Sequence, residues 1–125
     1  MSEIYIAYMD RLPSGVIVQI NEHVPSKDDV LAMAILGGLV PRHYYTAYIA
    51  IPKDLDLDMY NVHVHGGITY GDDCYESRIP LSEHIKGYNV IGWDYMHAGD
   101  SIEEYTFDVV KQELFEALAE IYEGA

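Results

Sequence analysis

The chain has 125 residues, half of them hydrophobic, and this length suits one domain with a single core. Its formal net charge is −14, from 21 acidic and 7 basic side chains, which disfavours direct binding to nucleic acid phosphates. A lone cysteine, Cys74, excludes an intramolecular disulfide, and we expect a soluble protein of the cytoplasm that is neither exported nor membrane-inserted.

The N-terminal part of the chain predicts a β-hairpin. Residues 3 to 9 and 16 to 20 are rich in β-branched and aromatic side chains, which favour strands. Between them lies a turn-forming cluster that contains Pro13 and Gly15. Two strands separated by so short a turn are typical of an antiparallel pair.

The middle of the chain predicts one helix and further extended segments. Ser26 can cap a helix that ends at Gly37-Gly38. Residues 43 to 51 and 88 to 93 read as strands, the first of them closed by Pro52. Residues 61 to 70 are also expected to be extended, with a bulge, a sharp turn or a ligand approach at Gly66-Gly67.

The C-terminal segment predicts an amphipathic helix from about residue 103 to 122. Ser101 followed by Glu104 is a capping-box pattern. The apolar residues that recur at helical spacing are Phe107, Val110, Leu114, Leu118 and Ile121. The acids expected on the solvent-facing side are Asp108, Glu113, Glu116, Glu120 and Glu123. The order of elements predicts an α+β fold, a mostly antiparallel sheet packed against two helices in a single domain spanning residues 1 to 125.

The negative charge is distributed unevenly. Residues 1 to 53 carry five acids and four bases, a net of −1, whereas residues 54 to 125 carry sixteen acids and three bases, a net of −13. A surface of this sign attracts cations and complements proteins that themselves bind nucleic acid. The alternative explanation is that the acids only keep a small protein soluble.

Two separate segments predict a metal site. In an extended strand, His63 and His65 project from the same face, and two imidazoles suit zinc and related transition metals. Asp94, His97 and Asp100 follow the next apolar strand at intervals of three, which places them on one side of a helical or tight turn. We therefore expect a divalent metal, zinc foremost, held by residues from both segments.

Asp100 and Cys74 each have two possible roles. Asp100 either accepts a hydrogen bond from a metal-bound imidazole and fixes its tautomer, or caps the N-terminus of the last helix, and the sequence favours the cap. Cys74 is a fallback ligand, although a small buried thiol is the commoner fate of such a residue.

Three strings resemble a family of small proteins found in phages and prophages of Gram-positive bacteria. They are Tyr-Ile-Ala-Ile-Pro-Lys at 48–53, Val-His-Gly-Gly-Ile-Thr-Tyr at 64–70, and Ile-Gly-Trp-Asp-Tyr-Met-His-Ala-Gly-Asp at 91–100. The family pattern matches His65, Asp94, His97 and Asp100, whereas the family has an acid where this chain has His63. The resemblance implies a protein of the host cell cytoplasm that blocks host defence.

Strongly acidic phage proteins resemble inhibitors of RNA-guided CRISPR nucleases, which hold nucleic acid in a positively charged channel. This analogy implies a non-enzymatic anti-CRISPR protein that binds a basic surface of the nuclease, blocks DNA loading and contains a structural metal ion. The first alternative is a metal-dependent hydrolase or phosphodiesterase for a nucleotide signal, with Asp100 as the base. The second is a sponge that binds such a signal through the Gly66-Gly67 turn and nearby tyrosines.

Overall fold

Four antiparallel strands and one C-terminal helix are the main elements of the described part of the protein. The computed structural model describes residues 3–28, 31, 35, 43–55, 57, 62–68, 87–95, 100 and 102–123. The elements are β1 (Glu3–Arg11), β2 (Ile17–Val24), β3 (Tyr44–Pro52), β4 (Tyr88–Asp94) and α1 (Phe107–Glu123).

The strands lie in the sheet in their chain order, β1-β2-β3-β4, and each pairs antiparallel with the next. The predicted N-terminal hairpin is therefore confirmed. Its turn is closed by hydrogen bonds between Leu12 and Val16 and between Gly15 and Leu12, and Gly15 has a φ of 92°, which glycine adopts without strain.

The hydrophobic core lies between one face of the sheet and α1. Side chains alternate along each strand, so every second residue of β2, β3 and β4 points towards the helix. The core residues of the sheet are Val16, Val18, Ile20, Ala47, Ile49, Ile51, Ile91 and Trp93. Those of the helix are Val110, Leu114, Ala117, Leu118 and Ile121, which confirms the predicted apolar stripe.

The opposite face of the sheet is also buried. Ile17, Tyr48, Ala50 and Val90 form a second apolar cluster there. A side chain at Gly92 would place its Cβ 2.5 Å from Cδ1 of Tyr48, so the tyrosine ring can lie across the strand only because residue 92 is glycine.

The α+β class and the antiparallel sheet are confirmed, whereas the second helix is not established. Residues 27, 28, 31 and 35 are helical, but the remainder of the predicted first helix lies outside the described residues. In the part of the chain that is described, no helix is long and apolar enough to cross a membrane.

The predicted start of the C-terminal helix is wrong by four residues. Residues 102–104 form a turn, and α1 begins at Phe107. Thr106 caps it, since the Val109 amide donates to Thr106 Oγ1 at 3.4 Å and the Val110 amide donates to the Thr106 carbonyl at 3.0 Å.

Candidate functional site

The segment formed by residues 62–68 lies against α1 and carries two of the predicted metal ligands. Val62 and Val64 pack against the core and the His63 side chain is 92% exposed, as the predicted alternation requires. The His65 side chain, which was expected to share the face of His63, is only 21% exposed and stacks on the Tyr95 ring instead. The segment is not part of the described sheet and turns back at Gly66 and Gly67, whose φ values are 69° and 80°. Of the alternatives expected at the glycines, the structure shows a sharp turn, closed by a hydrogen bond from the Gly67 amide to the Val64 carbonyl at 3.0 Å.

Glu113 anchors this segment to the helix and to the end of β4. Its Oε1 accepts a hydrogen bond from the His65 amide at 3.0 Å and another from the Tyr95 hydroxyl at 2.5 Å. The Tyr95 oxygen in turn accepts from Trp93 Nε1 at 3.0 Å. Burial, followed by the hydrogen bond to Glu113, raises the pKa of Tyr95 far above its usual value, so the phenol stays protonated and donates.

His65 and Asp100 form a partly buried pair. His65 Nε2 lies 2.8 Å from Asp100 Oδ2, and the two side chains are 21% and 7% exposed. The imidazole stacks on the Tyr95 ring at a centroid distance of 5.0 Å and also contacts Tyr105 at 4.4 Å. A carboxylate in this position fixes which ring nitrogen carries the proton.

The position of α1 excludes one of the two roles expected of Asp100. The capping role is wrong, because α1 begins at Phe107 and is capped by Thr106. The other expected role, fixing the tautomer of an imidazole, requires Asp100 to contact a histidine ring, and Asp100 contacts that of His65.

His63 makes a separate contact on the surface. Its Nδ1 donates to Glu120 Oε1 at 2.7 Å, and its amide donates to Glu120 Oε2 at 3.3 Å. These two hydrogen bonds hold the pKa of Glu120 below its ordinary value. Glu113 and Glu120, both expected to face solvent, instead are half-buried and hold residues 62–68 against the helix.

The predicted metal ligands are only partly brought together. His65 contacts Asp100, whereas His63 contacts Glu120. Asp94 alternates with Trp93 and Tyr95 along the strand, so its side chain points to the sheet face opposite the ring on which His65 stacks.

His97 and Cys74 lie outside the described residues. Within the described ranges, no group of three His, Cys, Asp or Glu side chains is placed to hold a metal ion. The five-residue metal set, His63, His65, Asp94, His97 and Asp100, therefore stays a prediction.

The sequence analysis does not predict the chain of hydrogen bonds that joins Trp93, Tyr95 and Glu113. Two patterns in the sequence are consistent with it. Trp93 and Tyr95 are two apart and so share a face of the sheet, and Glu113 and Glu120 are seven apart and so share a side of the helix. Neither signal shows which loop the carboxylates hold.

The outer face of α1 is strongly acidic. Residues 100 to 123 contain eight acids and one base, Lys111, which lies over the Tyr8 ring at 4.4 Å from its centroid. The exposed acids of this region are Glu103, Glu104, Asp108, Glu116 and Glu123. Asp108, Gln112 and Glu116 follow at intervals of four, so they line one side of the helix.

Comparisons with known proteins add no relative to this description. No protein-family model matches the chain, and neither the curated proteins nor the solved structures contain a significant match.

Proposed function

We propose that this protein is a non-enzymatic inhibitor of a host defence system, an anti-CRISPR protein that binds an RNA-guided nuclease and blocks DNA loading. The observation that supports the proposal is the acidic outer face of α1, defined here as the exposed side chains of Asp108, Glu116 and Glu123. The resemblance to small phage proteins indicates the class of partner, an RNA-guided nuclease of the host.

The physical basis is competition for a basic surface. A channel that holds nucleic acid through its phosphates also attracts a compact acidic protein. Each exposed ion pair contributes only about 0.2–1 kcal/mol, so the charges act together to speed association and to orient the protein. Binding of this kind weakens as salt concentration rises.

A charge-reversal experiment tests the proposal. The triple variant Asp108→Lys, Glu116→Lys, Glu123→Lys changes the acidic outer face without touching Glu113 or Glu120, which hold residues 62–68. We expect its affinity for a guide-loaded CRISPR nuclease to fall by at least about tenfold, since three contacts of about 0.5 kcal/mol each total roughly 1.5 kcal/mol.

The matched control reverses three exposed acids elsewhere, Asp10, Asp28 and Asp54, for the same change in net charge. This control should bind more tightly than the α1 variant. Equal affinities for the two variants would show that only the overall charge matters, and unchanged affinity for both would remove the charge-based proposal.

We further propose a bound zinc ion that stabilises the fold, with ligands drawn from His63, His65, Asp94, His97 and Asp100. The chemistry of two imidazoles beside carboxylates supports zinc over magnesium or calcium.

Elemental analysis of the purified protein should give about one zinc per chain, and the double variant His65→Ala, His97→Ala should lose it. The control is His43→Ala, whose side chain pairs with Glu22. A wild-type protein purified without zinc, and not taking it up on dialysis, would contradict the metal proposal alone.

A further inference from the structure

β1 forms one edge of the described sheet. It is the first strand in the sheet order, and within the described residues it pairs with β2 alone. The backbone amides and carbonyls on the outer side of such a strand can pair with a further strand. Its side chains Tyr5, Ile6 and Met9 are also 50%, 48% and 46% exposed. An edge that is both uncovered and apolar favours contact with another chain.

A bulge divides β1 into two regular parts. Ile6 pairs with Asn21 and Tyr8 pairs with Ile20, so Ala7 is an extra residue in β1. Because of this extra residue, the alternation of side chains between the two faces of the sheet is reversed after the bulge. A strand with regular alternation can therefore match only one of the two parts of β1.

The first part of β1 is complementary to a second copy of itself. In an antiparallel pair with its two-fold axis at Tyr5, the two Tyr5 side chains lie opposite each other, and Ile4 lies opposite Ile6 of the second copy. The two isoleucines point to the same face, because they are two residues apart in a regular part of the strand. Glu3 lies opposite Ala7, so no like charges meet across the pair.

Other two-fold registers of β1 fit less well. A register centred on Ala7 would place Tyr5 opposite Met9, and these side chains point to opposite faces because of the bulge. A register centred on Met9 would place the charged Asp10 beside Tyr8, which packs against the core. The register centred on Tyr5 is the one of the three that pairs large apolar side chains with each other.

We propose that two copies of this chain form a symmetric dimer through residues 3–7 of β1, with the two-fold axis at Tyr5. The charge distribution permits this contact, since residues 1–53 carry a net charge of −1 and residues 54–125 carry −13. The two sheets join into one, with both α1 helices on the same side of it. Each copy uses its only β1, so assembly stops at two chains. The dimer does not use the acidic outer face and is independent of the proposed inhibitor function.

Analytical ultracentrifugation tests the dimer on the wild-type protein. Five paired residues from each chain give a small interface, so we expect a dissociation constant of roughly 1–100 µM. The sedimentation coefficient should therefore rise from that of a monomer to that of a dimer as the concentration increases. A protein that remains monomeric up to about 500 µM, well above this range, would overturn the proposal.

Two lysine variants locate the interface. Tyr5→Lys places two like charges opposite each other at the axis and removes the aromatic pair, so it should weaken dimerisation by about fivefold or more. Met9→Lys is the matched control, because it adds the same charge at a similarly exposed position beyond the bulge. It should dimerise like the wild type. Equal dimerisation of the two variants, whether strong or weak, would overturn the assignment of the interface to residues 3–7.

A disulfide trap tests the position of the axis without a disruptive charge. In a Cys74→Ser background, Tyr5→Cys places two thiols across the axis, where opposite Cβ atoms are about 4.5–5.5 Å apart, close to the separation that a disulfide spans. Mild oxidation should give covalent dimers on a non-reducing gel. Met9→Cys in the same background should stay monomeric on the gel, because its two copies would lie roughly 26 Å apart along the strands. Efficient cross-linking of Met9→Cys, or none of Tyr5→Cys, would contradict an axis at Tyr5.

Discussion

Glu113 connects three parts of the chain through one carboxylate oxygen. Glu113 itself lies on α1. It accepts one hydrogen bond from the hydroxyl of Tyr95, the residue that follows β4, and another from the amide of His65 in the 62–68 segment. Buried or half-buried donors of this kind are costly to leave unpaired. The residue therefore holds the candidate site together, although it is not one of the predicted ligands.

Glu113→Ala should be strongly destabilising. It leaves the Tyr95 hydroxyl and the His65 amide without their acceptor, at a cost of about 1–3 kcal/mol for each group. Thermal unfolding followed by circular dichroism should show a melting temperature lower by roughly 8–23 °C, since about 1 kcal/mol corresponds to about 4 °C for a chain of this length. Glu116→Ala, which removes an exposed acid of the same helix, should change the melting temperature little. Equal losses in the two variants would contradict the anchoring role of Glu113.

Tyr95 should make the stability of the protein depend on alkaline pH. Its pKa is raised in the folded state from the usual 10.0, so an unfolded chain loses this proton at a lower pH than the folded chain does. The contribution is fully present below about pH 10 and is lost as pH rises through the pKa of the folded state.

Urea unfolding between pH 8 and pH 11 measures this effect. Tyr95→Phe should be less stable than the wild type at pH 8, because Trp93 Nε1 and Glu113 each lose a partner. Its free energy of unfolding should then fall less steeply above pH 10, so the two curves approach each other. Parallel curves over this range would show that Tyr95 does not titrate differently in the two states.

Among the elements, α1 begins after Thr106, a cap that the capping-box pattern does not predict. Ser101 and Glu104 fit the capping-box pattern, yet the helix begins six residues after Ser101. The Phe107 ring packs edge-on against the rings of Tyr8 and Tyr45. Contacts with β1 and β3 thus position the first helical residue, and Thr106 provides the cap at that point.

Thr106→Ala should destabilise the protein by about 1 kcal/mol, the usual cost of losing a threonine cap. The matched variant Thr106→Ser keeps the hydroxyl and should stay within about 0.5 kcal/mol of the wild type. The free energies of unfolding of both variants can be measured in urea. A Thr106→Ala protein as stable as the serine variant would show that the hydroxyl does not cap α1.

The strands were predictable from sequence because local patterns determine them. Runs of β-branched and aromatic residues predict each strand of the described residues to within a few residues at each end. The helix start and the course of residues 62–68 were not predictable in this way, because both depend on contacts between distant parts of the chain.

The candidate site was predictable to a similar extent. His65 and Asp100 can be identified as candidate site residues from their chemistry alone, and their side chains contact each other. The helical pattern places Glu113 and Glu120 on the solvent-facing side, because it cannot show that residues 62–68 pack beside them.

At the scale of the whole molecule, the apolar layer and the charge lie on different sides of α1. One side of the helix packs against β2 and β3, and the side away from the sheet carries the acidic outer face. A rigid sheet behind this face keeps the charges at fixed spacing, which favours a defined complex over diffuse attraction. The proposed inhibitor function depends on this arrangement.

The order in which DNA and the acidic protein meet the nuclease tests the central claim most directly. A guide-loaded CRISPR nuclease is mixed with the protein either before or after its target DNA, and bound DNA is measured by gel mobility shift. If the acidic face of α1 occupies the DNA channel, protein added first should prevent DNA binding, while protein added to the preformed DNA complex should have much less effect. Full DNA binding after prior incubation with saturating wild-type protein, for nucleases from Gram-positive hosts, would contradict the account.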